Sequence, residues 1–151
     1  MNKQPKSISK VLSVNDTGEN GTHQAGMLIP KNGDVLYFFP RLDEEEKNPR
    51  AKMTFIDIDG ESWQLSFIHY NNKLFDEHGT RNEYRLTGMT KYFRRHGLRA
   101  GDTVILKRND TSGLRIEYAC VKTDEEGILT DESGVQHVKL SAGSAWHVIN
   151  Y

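Results

Sequence analysis

Short runs in which apolar and polar residues alternate recur along most of the chain, and this pattern predicts strands. The clearest pair is Lys52–Ile58 and Ser62–Tyr70, because Asp59-Gly60 between them favours a tight hairpin turn. Thr103–Lys107 and Leu114–Val121 predict a second hairpin. Further short strands are predicted at Ser7–Val14, Met27–Ile29, Glu126–Thr130, Val135–Lys139 and Ala145–Ile149.

Two segments instead carry apolar residues at helical spacing. Asn32–Phe39 predicts a short helix with Asn32 as its cap and an apolar face formed by Val35, Leu36 and Phe39. Met89–His96 predicts a second helix that ends at Gly97, with Met89, Phe93 and His96 on one face. About eight short strands and one or two short helices predict a mostly β barrel or sandwich.

Composition limits the possible class of protein without identifying it. The 151 residues suit a single domain, and the absence of an apolar run near 20 residues argues against a membrane helix. The N-terminus lacks the apolar core of a signal peptide, so a cytoplasmic location is expected. The single Cys120 permits neither an internal disulfide nor a cysteine-based zinc site, and we expect no cofactor or metal.

Positive charge is concentrated in one segment, Thr80–Arg99, although the chain has 20 basic and 21 acidic residues in all. Within this segment Glu83 is the only acid, beside Arg81, Arg85, Lys91, Arg94, Arg95 and Arg99. A local basic field in a nearly neutral chain indicates a surface for an anionic partner, whereas a solvated basic helix is the alternative.

The first half of that segment, Thr80–Thr87, has side chains suited to reading base edges. Arginine forks onto guanine, asparagine onto adenine, and glutamate accepts from cytosine. A second polar segment, Asn15–His23, is dense in Gly and Asn and has no apolar side chain. Such a loop cannot bury itself, so it is mobile or holds a ligand.

These two segments resemble a known family. Leu12–Gly18, Gly21–Gly26 and Ile29-Pro30 resemble the opening of the EcoRII-type N-terminal DNA-recognition domain, and Thr80–Thr87 resembles its second DNA-contacting segment. Later positions also resemble plant transcription-factor domains of the B-three type, namely Phe93, Gly97-Leu98, Gly101-Asp102, Val104 and Leu114–Tyr118. The resemblance extends from Ser7 to Val121.

The resemblance implies a DNA-binding pseudobarrel, an open β-barrel of about seven to eight strands. Two arms, here the N-arm Asn15–Gln24 and the C-arm Gly79–Thr87, would enter the major groove of double-stranded DNA. In the EcoRII-type family this domain recognises the restriction target, CCWGG in the type enzyme, while a separate domain cleaves. The chain is therefore expected to be a monomeric recognition domain cut from a longer restriction endonuclease, without catalysis of its own.

The residue assignments follow from the resemblance and the side-chain chemistry together. Base-reading candidates are Asn15, Asp16, His23, Arg81, Asn82, Glu83, Tyr84 and Arg85. Phosphate-binding candidates are Lys10, Lys91, Arg94 and Arg95. Alternatives remain open: Glu83 bridges Arg81 or Arg85, Asn15 and Asp16 only form the turn, or His23 is a structural hydrogen bonder.

Three other functions compete with this hypothesis. Asp16-Thr17-Gly18 matches the aspartic-protease triplet, but its polar surroundings do not suit a dry cleft with two carboxylates. Asp43 with Glu45-Glu46-Lys47 resembles a metal-dependent nuclease pattern, but these residues crowd into one acidic loop. A transcription regulator of the same fold is not separated from a restriction-enzyme domain by these residues.

Overall fold

A computed structural model describes residues 4–18, 26–111, 113–120 and 145–151. Within them, eight strands form one sheet in the spatial order β2-β5-β4-β3-β7-β6-β1-β8. Neighbouring strands are antiparallel, except that β3 and β7 run parallel. The strands are β1 (Ser7–Val11), β2 (Met27–Ile29), β3 (Arg50–Ile56), β4 (Ser62–Tyr70), β5 (Glu83–Thr87), β6 (Thr103–Asn109), β7 (Gly113–Ala119) and β8 (Trp146–Asn150).

The two edge strands of this sheet, β2 and β8, approach each other without a backbone ladder. The indole Nε1 of Trp146 on β8 donates a hydrogen bond of 2.8 Å to the carbonyl oxygen of Leu28 on β2. Phe39 packs edge-on against the Trp146 ring, with ring centroids 6.4 Å apart. The sheet is therefore a nearly closed barrel, which confirms the predicted mostly β pseudobarrel.

Both predicted hairpins are present. β3 and β4 pair from Arg50 opposite Ile68 to Ile56 opposite Ser62, and the turn between them spans residues 57–61. β6 and β7 pair from Thr103 opposite Ala119 to Asn109 opposite Gly113. The alternation of apolar residues buries one face of each strand, and the fully buried side chains include Phe55, Phe67, Leu65, Leu106 and Ile116.

The helix predicted in the basic segment is α2 (Thr90–His96), and it ends where Gly97 adopts a left-handed φ of 62°. Met89 and Phe93 are buried as predicted, and Tyr92 is completely buried. Their burial anchors the helix on the barrel and leaves its basic residues outside.

Three local predictions need correction. β1 ends at Val11, before the predicted Val14, because Ser13 caps a one-turn helix, α1 (Val14–Thr17), through a reciprocal capping box with Asp16. The predicted helix over Asn32–Phe39 is a 3₁₀ turn over Val35–Phe38 that begins after Asp34. The C-terminal part of the predicted C-arm is not a projecting arm but strand β5, which pairs with β4 and β2.

The strands predicted in the C-terminal part of the chain have different outcomes. The predicted last strand is confirmed as β8. The strands predicted at Glu126–Thr130 and Val135–Lys139 lie outside the described residues. Among the helices that the structure does describe, none is long and apolar enough to cross a membrane.

Candidate nucleic-acid interface

The segment that joins β4 to β5 is held closed at its base by hydrogen bonds from backbone N–H groups. The Arg81 N–H donates to Asn72 Oδ1 at 2.8 Å, and the Lys73 N–H donates to the Arg81 carbonyl oxygen at 3.0 Å. Gly79 passes so close that a Cβ there would lie 2.2 Å from the Asn72 carbonyl oxygen. The segment thus presents the residues after Gly79 from a fixed base.

Arg81, Glu83 and Arg85 form one ionic cluster at the start of β5. Glu83 Oε2 accepts hydrogen bonds from Arg81 Nη2 at 2.7 Å and from Arg85 Nε at 2.6 Å. The Arg81 guanidinium also stacks over the Tyr70 ring, 4.0 Å from its centroid. Arg85 Nη1 donates to the Gly26 carbonyl oxygen at 2.8 Å, which ties β5 to the last part of the segment before β2.

The three side chains of this cluster differ in how much of their surface is exposed to solvent. The side chains of Arg81 and Glu83 are 36% and 27% exposed, whereas that of Arg85 is 16% exposed. Burial alone would raise the pKa of Glu83, but the hydrogen bonds and positive charges of Arg81 and Arg85 lower it below the ordinary value. Glu83 is therefore ionised at neutral pH, and the bridge that was left open as an alternative is present.

Asn82 and Tyr84 belong to a second set of contacts around the end of β4. The Nε2 of His69 and the Oδ1 of Asn82 are 2.8 Å apart, and the Asn82 carbonyl oxygen accepts from Lys31 Nζ at 2.9 Å. The Tyr84 ring stacks on His69 with centroids 4.1 Å apart and on Phe67 at 5.6 Å. Tyr84 thus braces the inner side of β5, and the Asn82 amide has a fixed orientation.

The basic residues of α2 lie on its outer side. Lys91, Arg94 and Arg95 are exposed. Arg95 Nη2 lies 2.9 Å from Glu61 Oε1, so Arg95 is paired with the turn between β3 and β4. The helix therefore presents an exposed positive surface while one of its arginines also anchors it.

The predicted N-arm is described only up to Gly18. Asp16 accepts a hydrogen bond from the Ser13 N–H at 2.9 Å and forms an ion pair with Lys10, with both side chains at most 10% exposed. Lys10 and Asp16 thus neutralise each other within the domain. Asn15 lies on α1, and His23 lies outside the described residues.

The rival catalytic patterns have no matching geometry in the described residues. The Asp16 carboxylate is engaged by Lys10 and by the cap of α1 rather than by a second carboxylate. Asp43 closes a turn by accepting from the Glu45 N–H at 2.9 Å, and Lys47 pairs with Asp76 at 2.5 Å. The acidic run is thus a sequence of turns, not carboxylates presented by paired strands.

Sequence reasoning missed the residues that support the cluster. These residues are His69, Tyr70 and Lys31, and no motif in the sequence marks them. The signal was the hairpin register, because β4 and β5 pair His69 with Tyr84 and Tyr70 with Glu83.

Comparison with known proteins gives consistent matches. The family model described as "Restriction endonuclease EcoRII, N-terminal" matches residues 2–134. Type II restriction enzyme EcoRII of Escherichia coli is 32% identical over 134 residues, which cover 83% of this chain and 32% of that enzyme. Auxin response factor 12 of Arabidopsis thaliana is 28% identical over 111 residues, which cover 73% of this chain and 16% of that protein.

Among solved structures, the Arabidopsis FUS3–DNA complex matches with a TM-score of 0.57 at 20% identity, covering 76% of this chain and 96% of that one. This match bears on the fold alone. The chain spans about a third or less of the length of the two curated relatives.

Proposed function

The chain belongs to the family of the N-terminal domain of restriction endonuclease EcoRII, and from this premise we propose that it binds double-stranded DNA sequence-specifically as the recognition part of a restriction endonuclease. The observation that carries the proposal is the Arg81–Glu83–Arg85 cluster at the fixed start of β5, beside the half-buried Asn82. An acid among the cations weakens a surface that only attracts phosphate, whereas a base-reading surface needs fixed donors and acceptors.

Within this cluster the proposed roles differ. Arg81 has the more exposed guanidinium and, held by Tyr70 and Glu83, is the proposed guanine-reading group. Arg85 is mostly buried and bonds to Gly26, so we propose that it chiefly positions Glu83 and the root of the N-arm. Glu83 offers its carboxylate to the exocyclic amino group of cytosine.

Asn82 is proposed to read an acceptor on a base. His69 occupies the Asn82 side-chain oxygen, so the amide N–H groups remain to donate. The matching major-groove acceptors are N7 of adenine or guanine, O6 of guanine and O4 of thymine. Tyr84 acts in this proposal through His69, on which it stacks.

The phosphate contacts are proposed to come from α2. Lys91 and Arg94 are exposed on its outer side, and Arg95 shares its charge with Glu61. Such contacts position the domain on the duplex without reading sequence. Asn15 and His23 stay proposed N-arm contacts in the major groove.

The wider activity is proposed from the relatives. A target of about five base pairs similar to CCWGG, a separate nuclease domain in the whole protein, a monomeric recognition domain and a location in the bacterial cytoplasm all follow from the EcoRII-type family. The similarity to auxin response factor 12 favours a second candidate, a DNA-binding regulator. Magnesium-dependent cleavage of target DNA by the whole protein separates the two.

The first test is selection of bound duplexes from a random pool, followed by competition binding with the selected and a scrambled duplex. We expect one short motif to emerge, and equal competition by both duplexes would contradict the proposal. For the selected duplex, the logarithm of affinity should fall with the logarithm of salt concentration with a slope of about 3 or more, because each bound phosphate contributes nearly one unit.

Two matched arginine substitutions test the division of roles. Arg81→Ala should reduce affinity for the selected duplex by roughly 10- to 100-fold while changing scrambled-duplex affinity much less. Arg94→Ala removes the same charge from α2 and should weaken both duplexes by similar factors and lower the salt slope by about one unit. The opposite pattern would show that α2, not the start of β5, reads the sequence.

A further inference from the structure

A polar cluster away from β5 joins the turn after β3 to the end of α2. Asp57 opens the turn, Asp59 lies on it, and His96 is the last residue of α2. One ligand atom from each of these three side chains lies within 4.8 Å of the other two. This grouping plays no part in the proposed DNA contacts.

The Asp57 carboxylate is held rigidly in this cluster. Its Oδ1 accepts from the backbone N–H groups of Asp59 and Glu61 at 2.8 and 2.9 Å, and its Oδ2 accepts from Trp63 Nε1 at 2.8 Å. Burial would raise the pKa of Asp57, but these hydrogen bonds and the nearby His96 lower it overall. Asp57 is therefore a buried, oriented anion.

His96 directs an unsatisfied nitrogen at this anion. Its side chain is 7% exposed, and its Nε2 has no hydrogen-bond partner among the described residues although Asp57 Oδ2 is 3.6 Å away. The imidazole ring is enclosed by Tyr92 and Tyr118, each with its ring centroid 4.7 Å from that of His96. A buried imidazole nitrogen without a partner requires an explanation, and a bound ion is one.

We propose that Asp57, Asp59 and His96 bind a divalent transition-metal ion of the zinc class. With metal–ligand bonds of about 2.0–2.1 Å, an oxygen and a nitrogen 3.6 Å apart subtend roughly 120° at the ion, within the range of zinc sites. The exposed Asp59 carboxylate closes onto the ion from the solvent side, and water completes the coordination.

The donor set identifies the class of ion. One imidazole with two carboxylates suits zinc and its neighbours, whereas magnesium and calcium prefer oxygen ligands alone. The two carboxylates neutralise the ionic charge, and the Trp63 indole and the turn N–H groups orient Asp57 as an outer shell. Binding joins the β3–β4 turn to α2 and so stabilises the fold whether or not the domain binds DNA.

The test uses the whole metal-stripped chain without DNA. Titration with ZnCl₂ in a calorimeter should give one equivalent of binding, CoCl₂ should give a visible d–d absorption band, and MgCl₂ at millimolar concentration should give neither. Zinc should also raise the thermal unfolding midpoint, because an ion that binds only the folded state stabilises it.

Substitutions then assign the ligands. Asp59→Asn, on an exposed turn, should keep the fold and weaken zinc binding by about tenfold or more. His96→Gln should abolish the cobalt band, while the control His78→Gln, at an exposed histidine, should retain it.

The proposal is overturned if the unmodified chain shows no heat of zinc binding and no cobalt band. It is equally overturned if Asp59→Asn binds zinc as tightly as the unmodified chain. Because neither readout involves DNA, these outcomes are distinct from failure of the proposed function.

Discussion

Replacing Glu83 by glutamine distinguishes a base-reading cluster from a merely basic surface. The carboxylate joins two guanidinium groups through hydrogen bonds of 2.7 and 2.6 Å. Charged hydrogen bonds contribute about 1.5–3 kcal/mol when buried and less than about 1 kcal/mol when exposed. For a carboxylate that is 27% exposed, we expect loss of about 1–2 kcal/mol in the free energy of unfolding.

The effect of Glu83→Gln on DNA binding should depend on sequence. Affinity for the selected duplex should fall by about tenfold, because a carboxylate acceptor is lost and both arginines lose their orientation. Affinity for a scrambled duplex should stay equal or rise slightly, because the surface gains one net positive charge. Anisotropy titrations of the two duplexes measure both values, and Glu77→Gln, at an exposed acid before the same strand, is the control for charge.

The effect of Glu83→Gln on the free energy of unfolding should also depend on pH in the absence of DNA. The folded-state pKa of Glu83 is lowered, so its stabilisation is complete above the ordinary carboxylate pKa and is lost as pH falls through the folded value. The difference in unfolding free energy between the unmodified chain and Glu83→Gln should therefore be largest near neutral pH and shrink in acid. Equal changes in affinity for both duplexes, together with a pH-independent stability difference, would refute the reasoning.

Two further predictions concern the framework that holds the site. Gly79→Ala should lower the free energy of unfolding by about 1–3 kcal/mol, because its Cβ would lie 2.2 Å from the Asn72 carbonyl oxygen; chemical denaturation measures this, and an unchanged midpoint would contradict it. Trp146→Phe removes the indole donor to Leu28 and should cost about 1–2 kcal/mol. Hydrogen exchange should then quicken in β2, and exchange equal to that of the unmodified chain would show that this bond does not hold the barrel edge.

Most strands were predictable from sequence because the information is local. Alternating burial and a Gly-containing turn suffice for the β3–β4 hairpin, and the helical spacing of Met89, Phe93 and His96 suffices for α2. The one-turn helix α1 was missed although its capping pair, Ser13 and Asp16, is visible in the sequence. The Gly- and Asn-rich residues that follow it favour a loop, and this pattern is stronger than the capping signal.

The sequence by itself determined a mostly β chain, a basic segment with one acid in it, and a family resemblance that the comparisons confirm. Only the tertiary structure decided which partners those residues have: Glu83 takes two arginines, Asp57 faces His96, and Trp146 reaches a carbonyl 118 positions away. The physical reason is that strand periodicity depends on neighbours along the chain. Charge pairing and barrel closure depend on sheet order, which brings distant segments together and which no local pattern specifies.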